Sequence, residues 1–147
     1  MAYLIDTSVL VRLANTVDVS YPIALRAVVE LHRRAEVLHV TPQNLIEFRN
    51  AATRPTAVNG LGLTAAEAEA SAFEVAFPLL TEIPDIYPAW KALVGALVVI
   101  GKQVYDARLV VICHVYGISH LLTFNVSHFT RLAKIGRGIV VVEPANV

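Results

Sequence analysis

Only twelve acids, four Asp and eight Glu, serve a chain of 147 residues, and three of them stand where a cleft would form. Asp6 closes the short apolar run Ala2-Tyr3-Leu4-Ile5, and Asp106 opens the long apolar run that follows Val104-Tyr105. Glu47 falls one to two helical turns after the run Val37 to Val40. If the apolar runs are parallel strands, their carboxyl ends gather such positions along one edge of a sheet. Converging carboxylates repel one another and resist ionisation unless a cation lies among them. A hard divalent ion, Mg²⁺ or Mn²⁺, prefers all-oxygen ligands and keeps several waters. Such an ion eases deprotonation of a water and steadies charge on phosphorus, so the chemistry indicated is phosphodiester hydrolysis. Taken singly, Asp6 and Asp106 also read as helix caps favoured by the dipole, and Glu47 as an exposed helix acid. The three together favour chemistry.

Positioning them requires alternating strands and helices, and the pattern supplies it. Ala2 to Ile5 is a predicted strand, and Val9 to Ala14 a short helix capped by Asp6-Thr7-Ser8. Tyr21-Pro22 opens a second helix to about Arg34, on which Arg26, Glu30 and Arg34 share a solvated face of ion pairs. Val37 to Val40 is the second strand, and Thr41-Pro42 caps the helix carrying Glu47. Arg54-Pro55 to Gly62 reads as a loop, and Thr64 to Glu67 as a capping box for a helix to about Phe77. Pro78 to Pro84 is irregular, with room for a short strand. Tyr87 to Ile100 reads as an apolar helix stopped by Gly101, and Val104 to Tyr116 as another ended by Gly117. Leu121 to Thr123 and Ile139 to Val142 are the last strands. No repeat or linker divides the chain, so residues 1–147 are expected to form a single domain.

Apolar residues make up 56% of the sequence, and the mean hydropathy is +0.59. No run reaches the roughly 18 apolar residues of a membrane helix, so a buried parallel sheet and a subunit or partner interface are expected instead. The net charge of zero argues against a broad nucleic-acid-coating surface, although nine of the twelve cations are Arg, the better phosphate fork. A single cysteine, Cys113, excludes internal disulfides and Cys-rich zinc sites. The N-terminal residues carry no basic stretch and meet Asp6 at once, which predicts a cytoplasmic protein with no signal peptide.

Four segments together resemble the PIN-domain family. Tyr3-Leu4-Ile5-Asp6-Thr7-Ser8-Val9-Leu10 is similar to its opening signature, and Thr41-Pro42-Gln43-Asn44-Leu45-Ile46-Glu47-Phe48 to its second acidic motif. Val104-Tyr105-Asp106-Ala107-Arg108-Leu109-Val110 resembles the third, and Leu121 to Phe129 the last. The single-domain length resembles the VapC-type toxins of toxin–antitoxin pairs. The resemblance implies a three-layer α/β/α sandwich around a parallel sheet of four to five strands. It also implies a Mg²⁺-dependent ribonuclease acting on RNA, a homodimer, and a cognate antitoxin whose tail blocks the cleft. By motif, Asp6 and Asp106 take the central metal-ligand roles, Glu47 is the third acid, and Asn125 stands at the fourth position. Many members carry Asp where this chain has Asn125, and a related subgroup has Asp three residues later, where His128 stands. Asn125 can offer a carbonyl oxygen to a metal-bound water but brings no charge. A catalytically weak or inactive PIN-like module binding RNA or protein is therefore the alternative.

An Asp at the end of a first strand also resembles the nucleophile of haloacid-dehalogenase phosphatases. Those place a second Asp two residues on, where this chain has Ser8, and a fitting late lysine is absent. Among the remaining residues, His32, His39, His120 and Trp90 read as structural. Ser8 reads as a partner of Asp6 or a helix cap, and Arg108 either binds phosphate or ties a neighbouring helix.

Overall fold

The computed structural model describes residues 1–147. The first apolar run forms β1 (Ala2–Ile5), at the centre of a four-stranded sheet with β2 (Val37–His39), β3 (His120–Leu122) and β4 (Val140–Val142). The order is β2-β1-β3-β4 and every pairing is parallel. Tyr3 lies opposite Leu38 on one side and His120 on the other, so the ends of β1 and β3 finish level. The segment read as room for a further strand contributes a single parallel bridge, Leu79 to Val40. Its backbone bonds, Val40 N to Pro78 O at 3.1 Å and Leu80 N to Val40 O at 2.8 Å, end there. The sheet therefore has four strands. Pro78, which lacks a donor, flanks this edge, and Pro84 closes the segment.

Buried parallel strands send alternate side chains into two cores. Leu4 and Leu121 face one, packed under α5 (Ile86–Ala96), α6 (Gln103–Tyr116) and the short α7 (Val126–Phe129). Tyr3, Ile5, Leu38 and Leu122 face the other, under α1 (Thr7–Ala14), α2 (Tyr21–Arg33), α3 (Pro42–Ala52) and α4 (Leu63–Ala76). This is the three-layer α/β/α sandwich. Phe48 and Phe129 are fully buried, one in each core, and truncating either to Ala costs about 3–5 kcal/mol. Cys113 is wholly buried on α6, where desolvation pushes its thiol up to about 12. No helix is long and apolar enough to cross a membrane.

Several local expectations change. Asp6 itself caps α1, its carboxylate accepting from Ser8 N, so the helix starts at Thr7. The helix α4 begins at Leu63 after Gly62 with no side-chain cap; Glu67, expected in a capping box, pairs with Arg49 at 3.2 Å. Glu30 on α2 pairs with Arg33 and Arg34, each at 2.7 Å, and not with Arg26. These bonds hold its carboxyl down at about 2.

Three helices finish with the same double bond pattern. After α2, Glu36 N donates to Leu31 O and Ala35 N to His32 O, with Ala35 at φ 57°. After α6 the same pattern runs through Gly117 at φ 68°. After α5 it runs through Val98 at φ 51°, with Val99 N bonded to Val94 O at 2.9 Å. These are Schellman caps. The left-handed turn at Val98 is what stops α5 at Ala96, short of the Ile100 expected from the apolar run.

Candidate active site

Asp6 follows β1 directly and is 5% exposed. One of its carboxylate oxygens, Oδ2, accepts from Ser8 Oγ at 2.6 Å, Thr123 Oγ1 at 2.8 Å and Ser8 N at 3.3 Å. All three donors lie on this oxygen, so Oδ1 keeps its lone pairs within a buried setting. Thr123 follows β3, the neighbour of β1, and is fully buried. The parallel pairing of the two strands thus places the hydroxyl beside the acid. Ser8 Oγ also accepts from Phe124 N at 3.1 Å, which fastens the chain after β3 to the start of α1.

Thr41 caps α3 in a reciprocal box closed by Asn44, with Pro42 in the first turn. The helix then carries Glu47 back toward the end of β1. Thr7 Oγ1 donates to Glu47 Oε2 at 2.9 Å, and Gln43 Nε2 to Glu47 Oε1 at 2.8 Å. Glu47 and Asp6 are therefore held by adjoining residues of the same turn.

Asp106 lies in the first turn of α6. Burial pushes its carboxyl up to about 6, and the negative charges of Asp6 and then Glu47 push the same way, against His128. His128 Nδ1 stands 3.6 Å from Asp106 Oδ2. Acids at the end of β1, on α3 and on α6 thus share one electrostatic environment, although 41 and 59 residues separate them in sequence (47 − 6 and 106 − 47). Asn125 adjoins them: its backbone N–H donates to Thr123 Oγ1 at 2.9 Å, while its side chain is exposed and bonds to none of the acids.

No three His, Cys, Asp or Glu side chains close on a common metal-sized point. Glu47 has both oxygens engaged by Thr7 and Gln43, and Asp106 faces His128. The donor set nonetheless fits a hard divalent cation. The free Oδ1 of buried Asp6 and the raised Asp106 carboxyl both gain from positive charge, and both donors are oxygens.

The sequence points to these three acids but not to the side chains that hold them. The sequence marks Thr7 only as part of a helix cap and gives Gln43 no role, although Gln43 and Glu47 are an i, i+4 pair that helix geometry makes visible. Ser8 is the partner of Asp6, donating to its carboxylate through both Oγ and the backbone N–H. Arg108 ties helices: its guanidinium donates to Gln43 Oε1 at 2.9 Å and pairs with Glu82. Trp90 Nε1 donates to Val104 O at 2.7 Å, joining α5 to α6. His32 stacks on Phe77 and His120 packs on Tyr3, both structural.

The sequence matches the family model described as PIN domain over residues 3–135. No curated protein matches it. Among solved structures, VapBC2 from Rickettsia felis, bound to a DNA fragment from their promoter, aligns with a TM-score of 0.70 at 16% identity. That alignment covers 97% of this chain and 98% of the other. VapBC-1 from nontypeable Haemophilus influenzae aligns with a TM-score of 0.70 at 16% identity, covering 98% of each chain. VapC20 from Mycobacterium tuberculosis, a sarcin–ricin loop cleaving toxin, aligns with a TM-score of 0.66 at 20% identity, over 88% of this chain and 94% of that one.

Proposed function

This chain belongs to the PIN domain family, and from that premise we propose that it is a metal-dependent endoribonuclease, the toxin of a toxin–antitoxin pair, acting in the cytoplasm. The observation that carries the reading is the gathering of Asp6, Glu47 and Asp106 at one edge of the sheet, with buried Asp6 held through Oδ2 by Ser8 and Thr123 and the Asp106 carboxyl pushed up by burial and by the charges of Asp6 and Glu47. Three acids gathered at such a cost are what a cation site needs and a merely structural site does not. In this reading Asp6 and Asp106 hold Mg²⁺, or Mn²⁺, with Glu47 as the third acid. The bound ion would supply Lewis acidity to the scissile phosphate and lower the pKa of a water. Ser8 and Thr123 fix Asp6 through Oδ2 and so leave Oδ1 directed for binding. Asn125, exposed beside Thr123, is placed to orient a water through its amide.

The partner reading draws on the VapBC structures, in which a like fold is paired with a second protein. The substrate reading draws on the toxin that cleaves the sarcin–ricin loop. Exposed apolar side chains on and after α4 and α5, among them Val75, Tyr87, Val98 and Ile100, support a homodimer and an antitoxin groove.

A labelled RNA incubated with Mg²⁺, Mn²⁺ or EDTA tests the proposal. The parent is expected to cut only with metal, and Asp6→Asn or Asp106→Asn to lose about 100-fold or more of the rate. Cutting in EDTA, or by either mutant at the parental rate, would sink it. A second reading, a PIN-fold binding module, is favoured by one observation: Asn125 brings no charge and touches no acid. RNA retained on a filter but left intact by the parent would select that reading.

A further inference from the structure

The residues that hold Glu47 link two layers that the cores keep separate. The helix α3 packs in the core with Tyr3 and Ile5, while α6 packs in the core with Leu4. Across the carboxyl edge of the sheet, the side chain of Gln43 joins them. Its Nε2 donates to Glu47 Oε1 at 2.8 Å and to the carbonyl of Tyr105, the residue before Asp106, at 3.0 Å. Its Oε1 accepts from Arg108 at 2.9 Å, and Arg108 is anchored in turn by Glu82. From this geometry we infer that Gln43, oriented by Arg108, is a positioning residue that sets the third acid against the helix carrying Asp106. The inference rests on the nuclease reading above.

A primary amide has two ends of nearly equal shape and opposite hydrogen-bonding character. A guanidinium only donates, and an ionised carboxylate only accepts. With Arg108 at one end and Glu47 at the other, a flipped amide would set donor against donor and acceptor against acceptor. A guanidinium has no acceptor to offer, so the amide orientation is fixed. Glu47 then receives N–H from Gln43 on one oxygen and O–H from Thr7 on the other, and its long side chain is held in one place. The bond to Tyr105 O carries this register to the first turn of α6. A metal-site carboxylate supported in this way loses function when its outer partner is removed, typically by 10–100-fold.

Gln43→Met keeps the length of the side chain and removes both polar ends. It is expected to lower kcat for RNA cleavage about 10-fold or more with KM within about twofold, and to weaken Mn²⁺ binding by calorimetry about 10-fold. The melting temperature should fall by a few degrees at most, because these bonds lie at a partly exposed edge outside both cores. Arg108→Met should reproduce part of both losses, and Arg108→Lys, which can still donate to Gln43 Oε1, should recover most of them. The double variant should be no worse than Gln43→Met alone, since Arg108 acts through Gln43. In spectra of the protein labelled with ¹⁵N on glutamine, the Gln43 NH₂ signals should shift on Glu47→Gln and on Arg108→Met. A Gln43→Met protein with parental kcat and Mn²⁺ affinity, or losses that simply add, would overturn the inference while leaving the nuclease intact. A parent that neither cuts RNA nor binds Mn²⁺ overturns the nuclease reading and this inference with it.

Discussion

Asp106 occupies the first turn of α6, where the helix dipole favours its negative charge, yet burial and the neighbouring acids push its carboxyl up to about 6. In the unfolded chain the same group titrates near 3.8. A raised acid binds its proton more tightly in the fold, so stability falls as pH rises from about 3.8 through about 6 and is level above that. Asp106→Asn should therefore stabilise the fold at pH 7 in EDTA by about 1 kcal/mol, once solvent screening of a partly exposed group is discounted, and raise the melting temperature accordingly. The gain should shrink toward zero as the melt is repeated near pH 4. A cap residue would behave in the opposite way, and a destabilised Asn variant would mean that Asp106 serves the helix and not a site. At this scale the sequence singles out Asp6, Glu47 and Asp106 because acids are rare in it, and the fold sets the three within electrostatic reach of one another. The sequence does not show their donors: Thr123 reaches Asp6 across 117 residues, and Arg108 reaches Gln43 across 65. Only the folded register brings those pairs together.

Element boundaries follow from backbone conformations that residue type only partly encodes. Gly117 marks the end of α6 in the sequence because glycine tolerates a left-handed turn, and there expectation and structure agree. Ala35 and Val98 make the same turn without that freedom. The end of α5 is accordingly misplaced by four residues when read from composition, at Ile100 instead of Ala96 (100 − 96). A β-branched residue with φ near +51° is strained by about 1–2 kcal/mol, part of which glycine gives back through its unfolded-state entropy. Val98→Gly is expected to stabilise the protein by about 0.5–1 kcal/mol in urea titration, and Ala35→Gly by less. A lower midpoint for Val98→Gly would show that the valine side chain contributes more than its backbone costs. The reciprocal box of Thr41 was half legible: the threonine and Pro42 announce a helix start, while Asn44 does not fit the Glu or Gln rule.

For the molecule as a whole, alternation of apolar runs was sufficient to give a parallel sheet between two layers of helices. What it could not give was the number of strands, because Pro78 to Pro84 is apolar enough for a strand yet pairs through one bridge. High apolar content in a chain of zero net charge leaves side chains such as Val75 and Ile100 at 89% and 76% exposure. Light scattering at micromolar concentration should read twice the 16.0 kDa of one chain, and Val75→Asp or Ile100→Asp should halve it. A monomeric parent would remove the case for a homodimer. Cys113 offers a different measurement. Its thiol lies wholly inside the α6 layer, and desolvation holds it in the unreactive protonated form. A maleimide reaches a buried thiol through openings of the structure around it, and an opening that lifts the whole of α6 from the sheet also moves Asp106. Any ion held jointly by β1 and α6 must be released before such an opening, and by mass action labelling should slow by the factor 1 + [Mn²⁺]/Kd. If Asp6 and Asp106 hold an ion as proposed, Cys113 is its occupancy gauge, readable by mass spectrometry without a substrate, and flat labelling kinetics across a Mn²⁺ series would show that no ion bridges the two elements.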